Sequence, residues 1–145
     1  MGNHQLRIIS LVLLGLCAGL YFYTAEQEAY YDRQVRPVVN DMLMDIGQWQ
    51  KPALLHHLSP AARNTLSDQQ IEQLLQRYRQ FGALQSFEPL QFSKLASAFS
   101  LLGDSKINYQ TNAQFDQAQG HINITVIAEA GSYKIYNLSI NSIAQ

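Results

Sequence analysis

The chain is short of several things. Its 145 residues hold one cysteine, and only 14% of them are charged. A single thiol cannot close an intramolecular disulfide and cannot build a zinc–thiolate cluster. Ten Lys+Arg against eleven Asp+Glu leave a formal charge of −1. A balance so close to neutral leaves no basic footprint for a polyanion, which argues against nucleic acid as a partner. There is no phosphate-cradling or dinucleotide-binding glycine pattern and no G-x-S-x-G nucleophile elbow. There are no internal repeats, no Pro/Gly/Ser linker and no long block of one charge. Amides stand in for the missing charge: 17 Gln and 8 Asn outnumber all the ionised side chains together. The polar surface is therefore expected to be dressed in amides, which argues against charge-driven recognition.

The one long apolar run lies at the start. Ile8 to Tyr23 (IISLVLLGLCAGLYFY) carries no charge, and only Ser10 is plainly polar. Extended to Ala25 it reaches about 27 Å at 1.5 Å per residue, enough to cross a bilayer core. Three readings compete: a retained anchor, a cleaved signal and a lipoprotein signal. Leu16 before Cys17 departs from the small residue a lipoprotein signal needs, and cleavage after Ala25 or Ala18 leaves a bulky residue three positions before the cut. Cleavage after Gly19 is passable. Tyr21, Phe22 and Tyr23 close the run as an interfacial belt does. The anchor reading is favoured, with Ile8, Leu11, Leu14, Leu20, Tyr21 and Tyr23 as the lipid-facing set. Cys17 is then a small apolar residue inside the bilayer. Arg7 precedes the span, and Glu26 and Glu28 follow it. The positive-inside rule accordingly puts residues 1–7 in the cytoplasm, 8–25 in the inner membrane and 26–145 in the periplasm or outside.

Residues 26–145 hold all eleven acids and every cation but Arg7, a net −2. They are read as one domain with helices first and strands last. Val35, Val38, Val39, Met42, Leu43 and Ile46 recur at helical spacing, with Pro37 marking a kink or a true start near Arg36. Ser59-Pro60 and Ser67 with Gln70 read as helix starts, the second a capping box. Ile71, Leu74, Leu75, Tyr78 and Phe81 form the face of the second of these, stopped by Gly82. Leu84–Phe92 reads as extended and broken by Pro89, and Ser93–Leu102 as a short helix. Three strands follow over 106–116, 121–129 and 133–143, with inward sets Ile107, Tyr109, Thr111, Ala113, Phe115, then Ile122, Ile124, Val126, Ala128, then Tyr133, Ile135, Leu138, Ile140, Ile143. The spacing of the last set slips once, which predicts a bulge near Tyr136-Asn137.

This order of elements, from DIGQWQKPALLHHLSPAAR through YRQFGALQSFE to AQFDQAQGHINITVIAEAGSYKIYNLSINS, resembles the NTF2-like (cystatin-like) superfamily over about residues 30–143. It is similar in particular to small bacterial envelope proteins with one membrane helix. The resemblance implies an α+β fold: a transmembrane helix followed by a cone of helices packed on a curved antiparallel sheet. It also implies a choice of roles, since the superfamily includes ketosteroid-isomerase-like enzymes, secretion-apparatus subunits such as the VirB8-like proteins, and non-enzymatic binding modules. For an isomerase the available pieces are Asp45, Asp116, Tyr109 and Tyr133, with Asp45 the weak catalytic candidate and Asp116 more simply a turn acceptor. His56-His57 has no carboxylate or cysteine at ligand spacing, so no metal or cofactor is expected. Asn123-Ile124-Thr125 and Asn137-Leu138-Ser139 match a glycosylation sequon inside strands and carry little weight. Trp49 is read as a core or rim aromatic. Together with Tyr109, Tyr133 and Tyr136 it forms the set for a pocket or a partner, and Tyr30 and Tyr31 lie close beyond the membrane. The sequence-level conclusion is a non-enzymatic interaction or assembly module, contacting the bilayer through residues 8–25 and a protein partner or second copy through the domain.

Overall fold

A computed structural model of the chain describes residues 2–93 and 106–143. The expected helix over Ser93–Leu102 lies largely outside them. Within them the protein is α+β: an N-terminal apolar helix, four further helices and a curved, unclosed antiparallel sheet.

Helix α1 (Gly2–Gln34) runs unbroken for 33 residues, through the apolar stretch and on as a stalk. Val35 interrupts it, and α2 (Arg36–Ile46) restarts with Pro37 in its first turn, where the missing N–H costs nothing. Proline therefore opens a new helix here and does not kink an old one. Arg36 ties the joint together. Its guanidinium donates to Asp32 at 2.6 and 3.1 Å and to the backbone carbonyl of Leu90.

Helix α3 (Lys51–His57) is an element that the apolar periodicity does not predict. Its start is uncapped by any side chain, and Pro52 sits in its first turn. Helices α4 (Pro60–Thr65) and α5 (Asp68–Arg79) begin as expected. Ser59 Oγ accepts from Ala62 N at 3.1 Å, and Ser67 with Gln70 makes the reciprocal capping box. Gly82 follows at φ +83°, where only glycine is unstrained and where an added Cβ would meet the Asp116 Cβ at 2.6 Å.

The sheet runs β1 (Leu84–Phe87), β3 (Lys106–Phe115), β4 (Gln119–Glu129) and β5 (Ser132–Ser142), with the two-residue β2 (Gln91–Phe92) also pairing with β3. Pro89 separates β1 from β2, as its missing donor requires. The β4–β5 hairpin closes on Ala130 (φ +50°) and Gly131 (φ +75°), both left-handed as a tight two-residue turn demands. The bulge lies where the spacing slips: Thr125 pairs with Asn137 and Val126 with Ile135, leaving Tyr136 as the extra residue.

The core lies between the concave face of the sheet and α2, α3 and α5. Tyr109, Phe115, Ile122, Ile124, Val126 and Ile135 from the strands meet Val39, Leu43, Ile46, Ile71 and Leu75 from the helices, all nearly inaccessible to solvent. Two expectations fail at the strand ends. Ala128 and Ile143 are exposed, because both lie at the limits of the sheet, beyond the helices that cover its middle. The outer edge of β5 is not bare. Ser59 N donates to Ile135 O at 2.8 Å and the Tyr78 hydroxyl to Leu138 O at 3.2 Å, so these two of its acceptors are taken by the helical layer.

Candidate functional site

The proposed anchor residues all lie on the uncovered part of α1. Ile8, Leu11, Leu14, Leu20, Tyr21 and Tyr23 are exposed, and nothing in the apolar stretch Gly2–Tyr23 is buried by the rest of the protein. That stretch is long and apolar enough to cross a membrane, and its length, composition and N-terminal position suit a signal sequence equally. Past it, Tyr23, Glu26, Tyr30 and Tyr31 line a shallow hollow of about 330 Å³. Tyr31 also packs on Phe92, which meets Tyr109 edge-on, so an aromatic chain leads from the stalk into the core. Burial raises the hydroxyl pKa values of Tyr31 and Tyr133, and the neighbouring tyrosines add to the shift.

Trp49 and Tyr109 are core residues. Trp49 is 4% exposed, stacks on Phe115, meets Tyr78 at a tilt, and donates its indole N–H to Gly82 O at 2.7 Å. Its backbone is left-handed at φ +56°, and the Arg79 guanidinium holds its carbonyl at 3.0 Å. Tyr109 is wholly buried, and its hydroxyl finds no hydrogen-bond partner among the described residues. Burial drives its pKa far up, Asp32 adds to the shift, and Arg36 above its ring opposes it. Neither aromatic reaches the surface to meet a partner.

Asp45 does not face the core. Its side chain is 62% exposed and pairs with His57 Nε2 at 3.0 Å. No carboxylate stands at ligand spacing from the histidine pair along the chain. A twelve-residue separation hides this one, and α3 brings it back alongside α2. Among the described residues no three His, Cys, Asp or Glu side chains gather as a metal site would need. Asp116 accepts the Ala83 amide at 3.1 Å and the Gln85 side-chain amide, the acceptor role expected of it.

A different place on the molecule gathers polar groups. Between α4 and the convex face of the sheet runs an open groove of about 550 Å³. Lys106, Asn108, Thr125, Tyr136 and Asn137 form its sheet side, and Ala61, Ala62 and Thr65 its helix side. The bulge makes this possible: regular alternation would send Asn137 inward after Tyr136, and the extra residue leaves both exposed on one side. The Lys106 ammonium sits 4.1 Å from the centre of the Tyr136 ring. Asn108 donates to Asn123 at 2.6 Å and Thr125 at 2.8 Å, while its own carbonyl oxygen is buried with no donor among the described residues. Of the four aromatics singled out from sequence, Tyr136 alone belongs to this groove, and the slipped spacing of the last strand was the signal pointing to it. No family model, curated protein or solved structure matches the chain.

Proposed function

We propose that this is a single-pass, membrane-anchored protein of the cell envelope, with its N-terminus in the cytoplasm and an NTF2-like domain in the periplasm or outside. The domain serves as a non-enzymatic interaction or assembly module. The observation that carries this reading is the continuity of α1: an uncovered apolar stretch runs without a break into a helix that packs on the folded domain through α2. The interior supports a binding role over catalysis. The space beneath the sheet is occupied by Tyr109, Phe115 and Trp49, and Asp45 turns outward to His57.

Fractionation of cells producing the full chain, followed by carbonate extraction and N-terminal sequencing, tests the anchor. The protein is expected to stay in the membrane pellet with its N-terminal stretch intact. A soluble mature chain beginning near Leu20 overturns the reading. Protease digestion of spheroplasts is expected to remove residues 26–145 and spare the span; full protection overturns the orientation.

A further inference from the structure

We infer that the hollow on the stalk, just beyond the apolar stretch, is a binding site for the ammonium end of a zwitterionic phospholipid headgroup, an ethanolamine or choline lipid of the leaflet from which the stalk emerges. This rests on the anchored reading, which brings that leaflet within reach. Depth, charge and the chemistry of the lining each point to this occupant.

Depth comes from the helix itself. The apolar stretch ends at Tyr23, and the hollow is lined by Tyr23, Glu26, Tyr30 and Tyr31. At 1.5 Å per residue, Tyr23 to Tyr30 is a rise of about 10 Å. The polar layer on each side of a bilayer's hydrocarbon core is about 5–8 Å thick, so a hollow that starts where the span ends opens among the headgroups.

Charge selects the ammonium. From residue 8 to residue 32 the sequence contains no lysine, arginine or histidine, and Glu26, Glu28 and Asp32 follow the apolar run. Asp32 is engaged by Arg36 at 2.6 Å. Glu26 lines the hollow, is exposed, and makes no ion pair among the described residues. The nearest cation along the helix, Arg33, is outside the lining, toward the domain. An anionic headgroup would face a carboxylate there, whereas an ammonium group meets its counter-charge. A metal ion would call for more carboxylate or carbonyl oxygen than one glutamate side chain brings.

The rings complete the site, because aromatic faces beside a carboxylate are the chemistry that takes up alkylammonium groups. Tyr30 is 53% exposed and meets Tyr31 edge-on at 5.5 Å. Tyr31 is partly buried and packs on Phe92 of β2, so the domain holds one wall of the hollow in place. Tyr133 of β5 stands near the same rings: burial raises its hydroxyl pKa, and Tyr30 adds to the rise. A wall tied to the sheet distinguishes this hollow from a plain belt of interfacial aromatics. Its volume of about 330 Å³ lies at the small end of ligand sites.

The test is a titration of the isotope-labelled full chain in micelles of an uncharged maltoside detergent, followed by the backbone amides of Glu26, Tyr30 and Tyr31. The probes are the dihexanoyl forms of phosphatidylethanolamine, phosphatidylcholine and phosphatidylglycerol, dihexanoylglycerol, and tetramethylammonium as the ammonium group alone. The two zwitterionic lipids are expected to shift those amides saturably, and the other three probes to bind at least about tenfold more weakly. Glu26→Gln and Tyr30→Leu, both at exposed positions, should each weaken the zwitterionic lipids about fivefold and leave the amides of β3, β4 and β5 unmoved. Equal binding of all four lipids, or an unchanged Glu26→Gln, overturns the site. Tetramethylammonium that binds as tightly as the lipids overturns the lipid source in favour of a free ammonium compound. Cleavage near Leu20 would leave Tyr23–Tyr31 in the chain, so a failure of the anchor and a failure of this site show in different experiments.

Discussion

The two faces of the sheet are made from the same three strands and live by different rules. The concave face of β3, β4 and β5 is apolar and sealed, with Ile124, Val126 and Ile135 wholly inaccessible. The convex face is built from amides and hydroxyls that bond one another, as Asn108 does with Asn123 and Thr125 and as Asn112 does with His121 at 2.9 Å. On the first face, stability comes from area removed from water and is lost when atoms are removed. On the second it comes from paired polar groups, whose net worth is small because water competes for each of them. The difference teaches where change is tolerated: the convex face is free to be shaped for binding, and the concave face is not.

Substitutions rank accordingly. Ile124→Ala, at the centre of the sealed face, is expected to cost about 3 kcal/mol in reversible denaturant unfolding, since the helices above cannot collapse into the gap. A loss below about 1 kcal/mol would mean the concave face is far looser than its burial implies. Asn108→Ala on the convex face should cost about 1 kcal/mol, the loss of two bonds being offset by removal of an unmet acceptor. A cost equal to that of Ile124→Ala would erase the distinction between the faces.

Tyr109→Phe sharpens it further, because this residue carries a polar atom on the wrong face. Its hydroxyl is buried without a partner among the described residues, so removing it should leave stability unchanged or raise it by up to about 1 kcal/mol. The same residue predicts an alkaline effect. Burial holds its pKa above the ordinary 10.0. As pH passes 10 the unfolded chain loses this proton while the folded chain keeps it, so stability present below that pH falls as pH rises toward the folded value. Unfolding measured from pH 8 to 11 should decline less steeply in Tyr109→Phe. Some decline persists, since burial also raises Tyr31, Tyr78 and Tyr133.

The legibility of the fold follows the reach of each interaction along the chain. The capping box at Ser67 and Gln70, the alternation of β3 and β4 and the restart at Arg36 are local, and each can be read from a few neighbouring residues. Helix α3 is hidden because seven residues with an uncapped start carry almost no periodic signal. Distance along the chain conceals the rest: the Asp45–His57 pair, the parallel bridge of Leu58 to Ile135 and the meeting of α4 with the convex face. Of the groove, the sequence reveals Tyr136 and the slip that exposes it. Lys106 is invisible there, since a lysine at a strand start looks like any solvated charge.

The covered edge of β5 has a consequence for a chain so poor in charge. Proteins commonly stay apart in concentrated solution through mutual repulsion, and a net charge of −1 supplies almost none. An open strand edge on such a molecule would recruit the next copy, strand upon strand. With the Ile135 and Leu138 carbonyls already engaged by Ser59 and Tyr78, the β5 edge offers the next copy two fewer acceptors.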